Sequence, residues 1–125
     1  MRDYFPEEPF VCRCGCALDA FDPAMRQILN EVREELGIPL VVESGCRCEA
    51  HNAAVGGAPN SAHMIQPDGL CHAADIRCFS PITRGRLLEA LRKRGIRRFE
   101  ASNKHLHADN SPLHPRPLLE VKRFA

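Results

Sequence analysis

Apolar residues recur at spacings of three and four through Met25, Ile28, Leu29, Val32 and Leu36, which predicts an amphipathic helix. Asp22 precedes it as N-cap with Pro23 at the first helical position, and Gly37 and Pro39 end it. A second helical pattern runs from Thr83 to Arg94, carrying Leu87, Leu88 and Leu91, and Gly95 stops it. Strand-type runs are predicted at Leu40–Glu43, Ala73–Phe79, Ile96–Ala101, His105–Asp109 and Leu118–Phe124. Glu49–Val55 reads as one or two helical turns. Residues 1–21, with their Cys-x-Cys-Gly-Cys run, and the Gly/Pro/Asn/Ser-rich stretch 56–70 read as irregular loops. The expected architecture is therefore α+β, one domain over residues 1–125, with helices packed on a small, mostly antiparallel sheet.

Composition narrows the function classes. The 125 residues carry 17 Lys and Arg against 16 Asp and Glu, a formal charge of +1, so nucleic acid and anionic membranes are not expected partners. Apolar runs fall far short of the roughly 20 residues of a membrane span. The opening Met-Arg-Asp-Tyr-Phe-Pro-Glu-Glu-Pro has no apolar core of a secretory signal, so synthesis in a reducing cytosol is expected. What stands out is 7 cysteines beside 6 histidines. Metal binding is the first chemistry to consider.

A catalytic zinc takes three protein ligands and keeps one position open. His63, Asp75 and His107 offer two imidazoles and a carboxylate for one such ion. They lie in Ser61-Ala62-His63, Ala73-Ala74-Asp75-Ile76 and His105-Leu106-His107-Ala108-Asp109. Together with Phe10-x-Cys-x-Cys-Gly-Cys16, Ser44-Gly-Cys-Arg47-Cys and His51-Asn52-x-x-Val-Gly-Gly57, they follow one another in a familiar order. Over residues 10–110 the chain resembles the zinc D-alanyl-D-alanine carboxypeptidases, an M15-like family that includes phage-type peptidoglycan endopeptidases and shares the hedgehog-type fold.

The resemblance implies a zinc peptidase acting on D-amino-acid-containing stem peptides of bacterial peptidoglycan. A monomer is expected, and without a secretory signal it would reach the wall by phage-type release, a tail particle or another export path. By position, it makes His63, Asp75 and His107 the zinc ligands. Arg47 polarises the scissile carbonyl or holds a substrate carboxylate, Ser61 helps bind substrate, and His105 donates to the developing oxyanion. A non-catalytic zinc-containing binding module of the same fold is the alternative. A cysteine nucleophile, Cys46 or Cys71 beside a histidine, is a second enzymatic option.

The chain departs from the family twice. Twelve positions separate His63 from Asp75, more than members usually place there, and a turn-forming Gln-Pro-Asp-Gly lies between them. His72 is the rival ligand, but residues three apart on a strand point to opposite faces, which favours His63. The position where many members carry an acidic general base is Lys104. A two-residue Asn103-Lys104 loop would pair Glu100 with His107 and Phe99 with Ala108, which makes Glu100 the candidate base. Asp109 is the candidate to orient a ligand histidine.

The cysteines leave several arrangements open. Cys12, Cys14, Cys16, Cys46 and Cys48 could make a structural zinc knot, although Cys-x-Cys lacks the usual spacing. Disulfides from the 12–16 cluster to Cys46 or Cys48, and free buried thiols, are the others.

Overall fold

The computed structural model describes residues 2–6 and 9–121. Helix α1 spans Pro23–Leu36, with the Asp22 carboxylate accepting from the Ala24 amide and Gly37 closing the helix at φ 65°. Its 3.6-residue period places Met25, Leu29 and Val32 on one fully buried stripe. Strand β1 (Val42–Ser44) and the short helix α2 (Glu49–Ala54) follow, then β2 (Ala73–Arg77) and helix α3 (Pro81–Lys93). Strands β3 (Arg98–Ala101), β4 (His105–Asp109) and β5 (Leu118–Val121) complete the chain. No helix among the described residues is long and apolar enough to cross a membrane.

The five strands form one sheet in the order β1-β2-β4-β3-β5. Three pairings are antiparallel, while β3 and β5 run parallel. Strand parity sorts the side chains. Ala74 and Ile76, Phe99 and Ala101, and Leu106 and Ala108 turn toward α1 and α3 and enter one core with Met25, Leu29, Leu87 and Leu91. The opposite face receives Asp75, Glu100, His105, His107 and Asp109. Truncating a fully buried member of this core such as Leu29 or Leu91 to alanine should cost about 2–5 kcal/mol.

Several element boundaries differ from expectation, among them the start of β3, which is Arg98 rather than Ile96 because the Ile96 amide still bonds back to the Leu91 carbonyl at the end of α3. Helix α3 starts at Pro81 rather than Thr83, because the Ser80 hydroxyl caps the Thr83 amide at 3.3 Å and Pro81 fits the first turn. Strand β2 stops at Arg77 rather than Phe79, because its partner begins at His105; the last link is the Cys78 amide on the Lys104 carbonyl. Strand β1 is shifted to Val42–Ser44 and carries an irregularity that sets Val42 opposite Ile76 and Ser44 opposite Asp75. Of the strand expected over Leu118–Phe124, Leu118–Val121 is present, and residues 122–125 lie outside the described residues.

Candidate metal centre

The β3–β4 hairpin has the register that side-chain parity predicts. Glu100 pairs with His107, Phe99 with Ala108 and Arg98 with Asp109, leaving Asn103-Lys104 as the loop. On the other side of β4, Asp75 pairs with His107. Two adjacent strands thus present an imidazole and a carboxylate side by side on one face. The third group comes from a loop. His63 reaches Asp75 because its segment is laced to the 44–47 turn: the Arg47 amide donates to the His63 carbonyl, and the His63 ring donates to the Gly45 carbonyl at 2.7 Å. The twelve-position separation between His63 and Asp75 is absorbed by the intervening loop, where the Gln66 side chain donates to the Ser61 and Met64 carbonyls.

Asp75 Oδ1 lies 3.2 Å from His63 Nε2 and 2.9 Å from His107 Nδ1, and all three side chains are largely buried. The other nitrogen of each ring is already committed. His63 Nδ1 must carry a hydrogen because its partner is a carbonyl, and His107 Nε2 donates to Asp109 Oδ2 at 2.8 Å. With both rings neutral, Nε2 of His63 and Nδ1 of His107 would turn lone pairs toward the same carboxylate oxygen. That arrangement calls for a cation between them, either a proton or a metal ion. Ligand atoms of His63, Asp75 and His107 lie within 4.8 Å of one another, and the donor set of two nitrogens and one oxygen suits zinc.

Electrostatics without a metal agree. Burial alone would lower the His107 pKa, but hydrogen bonds to Asp109 and Asp75 outweigh it and raise the value to about 9. Burial likewise opposes ionisation of Asp75, yet hydrogen bonds from His107 and His63 hold its carboxyl well below the usual range. Asp109 is also held low against its burial, by the His107 hydrogen bond and the Arg98 charge.

Arg47 sits beside the centre with every part of its guanidinium engaged. Nε donates to the Ser44 hydroxyl at 3.1 Å, Nη1 to Asn52 Oδ1 at 3.2 Å and Nη2 to Asp75 Oδ2 at 3.3 Å. Gly57 lies against this group, and a Cβ there would stand 2.1 Å from Asn52 Oδ1. An open cavity of about 550 Å³ runs past the centre, and Arg47, Ser61, Glu100, His105 and His114 line it. Glu100 Oε2 is 3.8 Å from His107 Nε2. The Ser61 hydroxyl accepts from the His63 amide at 3.2 Å, so it braces the ligand loop as well as lining the cavity. Lys104 is exposed at the hairpin tip.

His72 belongs to a different cluster, where its ring meets Asp68 at 2.6 Å and Asn110 at 2.8 Å. Cys46 and Cys71 form a disulfide, which excludes Cys46 from the alternatives left open for it, a zinc knot or a bond to the 12–16 cluster, and leaves neither sulfur as a nucleophile. Arg98 is a buried residue that the sequence reading passed over. Its Nε holds Asp109 Oδ1 at 2.9 Å and its Nη1 donates to the Pro115 carbonyl. The hairpin register contained the signal, since the loop that opposes Glu100 to His107 also opposes Arg98 to Asp109. His114 joins the cavity wall, held by the Ser111 hydroxyl and the Asn60 carbonyl.

The family model described as Peptidase M15 matches residues 3–109. No curated protein matches the chain.

Proposed function

This chain belongs to the peptidase M15 family, a family of metallopeptidases, and on that premise we propose that it is a zinc peptidase hydrolysing D-amino-acid-containing stem peptides of bacterial peptidoglycan, as a carboxypeptidase or endopeptidase. The observation that carries the metal is the convergence of His63 Nε2, Asp75 and His107 Nδ1 around a position that needs a cation. The wall substrate rests on the ordered motifs that resemble the D-alanyl-D-alanine carboxypeptidases.

His63, Asp75 and His107 would hold a zinc ion, which when bound would supply a Lewis acid for the scissile carbonyl and a nucleophilic water near neutral pH. The remaining work falls to the chain. Arg47 keeps a fixed positive charge beside Asp75, facing the cavity, where it orients a substrate carbonyl or carboxylate. Glu100, also on the cavity wall, accepts the proton that the attacking water releases. His105, two residues along β4 from His107, donates to the oxyanion as it develops. Asp109 holds the His107 ring in the tautomer that leaves Nδ1 free for metal. Ser61 supports His63 and contributes to the substrate wall.

The reading carries with it a monomer that meets the cell wall after phage-type release and has no nucleic-acid or membrane partner. The formal charge of +1 supports the last point. Lys104, at the place where many family members have an acid, favours a second reading as a non-catalytic zinc-containing binding module.

Digestion of purified peptidoglycan, with newly exposed amino groups counted, tests the proposal. Cleavage is expected that a chelator abolishes and zinc restores, and His107→Ala should lose both cleavage and one equivalent of zinc. An unchanged zinc content in His107→Ala would overturn the metal assignment. Zinc lost from His107→Ala, with no cleavage of several wall types by the parent chain, would establish the binding module.

A further inference from the structure

We propose that Cys12, Cys14, Cys16 and Cys48 form a second, purely structural zinc site that clamps the N-terminal loop to the turn carrying Arg47. The site stands apart from the peptidase centre and does not depend on how that centre functions.

Distances make the first argument. The four sulfurs lie within 4.8 Å of one another, with Cys14 Sγ 3.5 Å from both Cys12 Sγ and Cys48 Sγ. Zinc–sulfur bonds of about 2.3 Å put the corners of a tetrahedron roughly 3.8 Å apart. A disulfide requires about 2.05 Å between its sulfurs. The spacing is that of thiolates around an ion. Thiolate donors in a closed set of four are also the characteristic ligands of structural zinc.

The backbone explains how a Cys-x-Cys-x-Cys run can do this. On an extended strand, alternate side chains share a face but stand roughly 7 Å apart. Here the Cys12 amide donates to the Leu18 carbonyl at 2.9 Å, closing a tight loop. Gly15 turns within it at φ 89°, a left-handed conformation that glycine accepts freely. Folding the run back on itself brings Cys14 and Cys16 over Cys12. Two amides point at the sulfurs: Cys48 N lies 3.4 Å from Cys12 Sγ, and His51 N lies 3.4 Å from Cys48 Sγ. N–H donors to ligand atoms are the outer support a metal site needs.

The site completes the assignment of the cysteines. Cys46 and Cys71 are bonded to each other, and buried Cys78 donates to the Ser80 carbonyl. The other four of the 7 cysteines are the cluster. Its position gives it a role. Among its described residues the loop has no helix or strand of its own, yet the Cys46 amide donates to the Phe10 carbonyl at 2.8 Å. Gly45 packs so closely on Phe10 that a Cβ would lie 2.6 Å from the Phe10 Cα. A metal joining Cys48 to Cys12, Cys14 and Cys16 secures the same contact from the far side of Arg47.

The full chain, purified with zinc under mild reduction, should contain two zinc ions. Cys14→Ser/Cys16→Ser should retain one and His63→Ala/His107→Ala should retain the other. Replacing zinc by cobalt(II) should give intense sulfur-to-metal charge-transfer absorption in the parent and in His63→Ala/His107→Ala, but not in Cys14→Ser/Cys16→Ser. Alkylation followed by mass spectrometry covers the case where a variant fails to fold. In the zinc-loaded parent, Cys12, Cys14, Cys16 and Cys48 should be protected, and a chelator should expose them together. A disulfide between any two of the four, cobalt binding without charge-transfer absorption, or alkylation of all four at the rate of free thiols would overturn the proposal.

Discussion

Glu100 faces His107 directly across the β3–β4 ladder, and its carboxylate comes within 3.8 Å of His107 Nε2. The same hairpin places Lys104 at the exposed tip, away from the cavity wall. Replacing Glu100 with glutamine keeps the shape and removes only the proton acceptor. Glu100→Gln should retain fold and zinc while losing about 10²–10⁴ in kcat on peptidoglycan. Lys104→Ala should leave kcat within a small factor of the parent. Parent-like kcat in Glu100→Gln would show that Glu100 is not the base.

The chain of contacts Arg98–Asp109–His107 makes a second prediction. Asp109 is 1% exposed and accepts from both neighbours as well as from the Ser111 amide. Asp109→Ala would strand the Arg98 guanidinium in the interior, at a cost of about 3–5 kcal/mol in denaturant unfolding. Asp109→Asn should be milder in stability. It still loses the charge that orients His107, so zinc affinity at this centre should fall about 10- to 100-fold by competition with a chelator. Parent-like affinity in Asp109→Asn would show that His107 needs no such support.

Proton and metal compete for the same position, so stability depends on pH in opposite ways with and without zinc. In the metal-free chain the His107 pKa is raised from 6.5 to about 9 by the carboxylates around it. The protonated ring therefore contributes stability that is complete below about 6.5 and disappears as pH rises to about 9. Thermal unfolding of the chelated protein should show a falling Tm across that window. Zinc binding must displace the proton, so affinity should rise with pH over the same range. A chelated protein whose Tm is flat from pH 6.5 to 9 would contradict the assignment.

Gly57 and Gly85 should respond oppositely to alanine. At Gly57 the new methyl would collide with Asn52 Oδ1 at 2.1 Å and crowd Arg47 Nη1 at 3.0 Å. The brace on Arg47 would break, so Gly57→Ala should raise KM with zinc content unchanged. Gly85 is exposed in the interior of α3, with nothing within 4 Å of a built Cβ. Gly85→Ala should raise stability by about 0.5–1 kcal/mol and leave KM alone.

Local chemistry made much of this protein legible from its residues. The stripe from Met25 to Leu36, bounded by Asp22-Pro23 and Gly37, defines α1 because its period and caps act within a few residues. Side-chain parity around Asn103-Lys104 determined which residue opposes His107, since a two-residue loop leaves one register that keeps the apolar pairs together. Preference for His63 over His72 followed from the same alternation. The parallel docking of β5 on β3, the Cys46–Cys71 bond and the gathering of Cys48 with Cys12, Cys14 and Cys16 were decided only by the tertiary structure. These contacts join segments 20 or more residues apart in the chain. Periodicity reports which face a residue takes, but which distant face it meets depends on how the whole core packs.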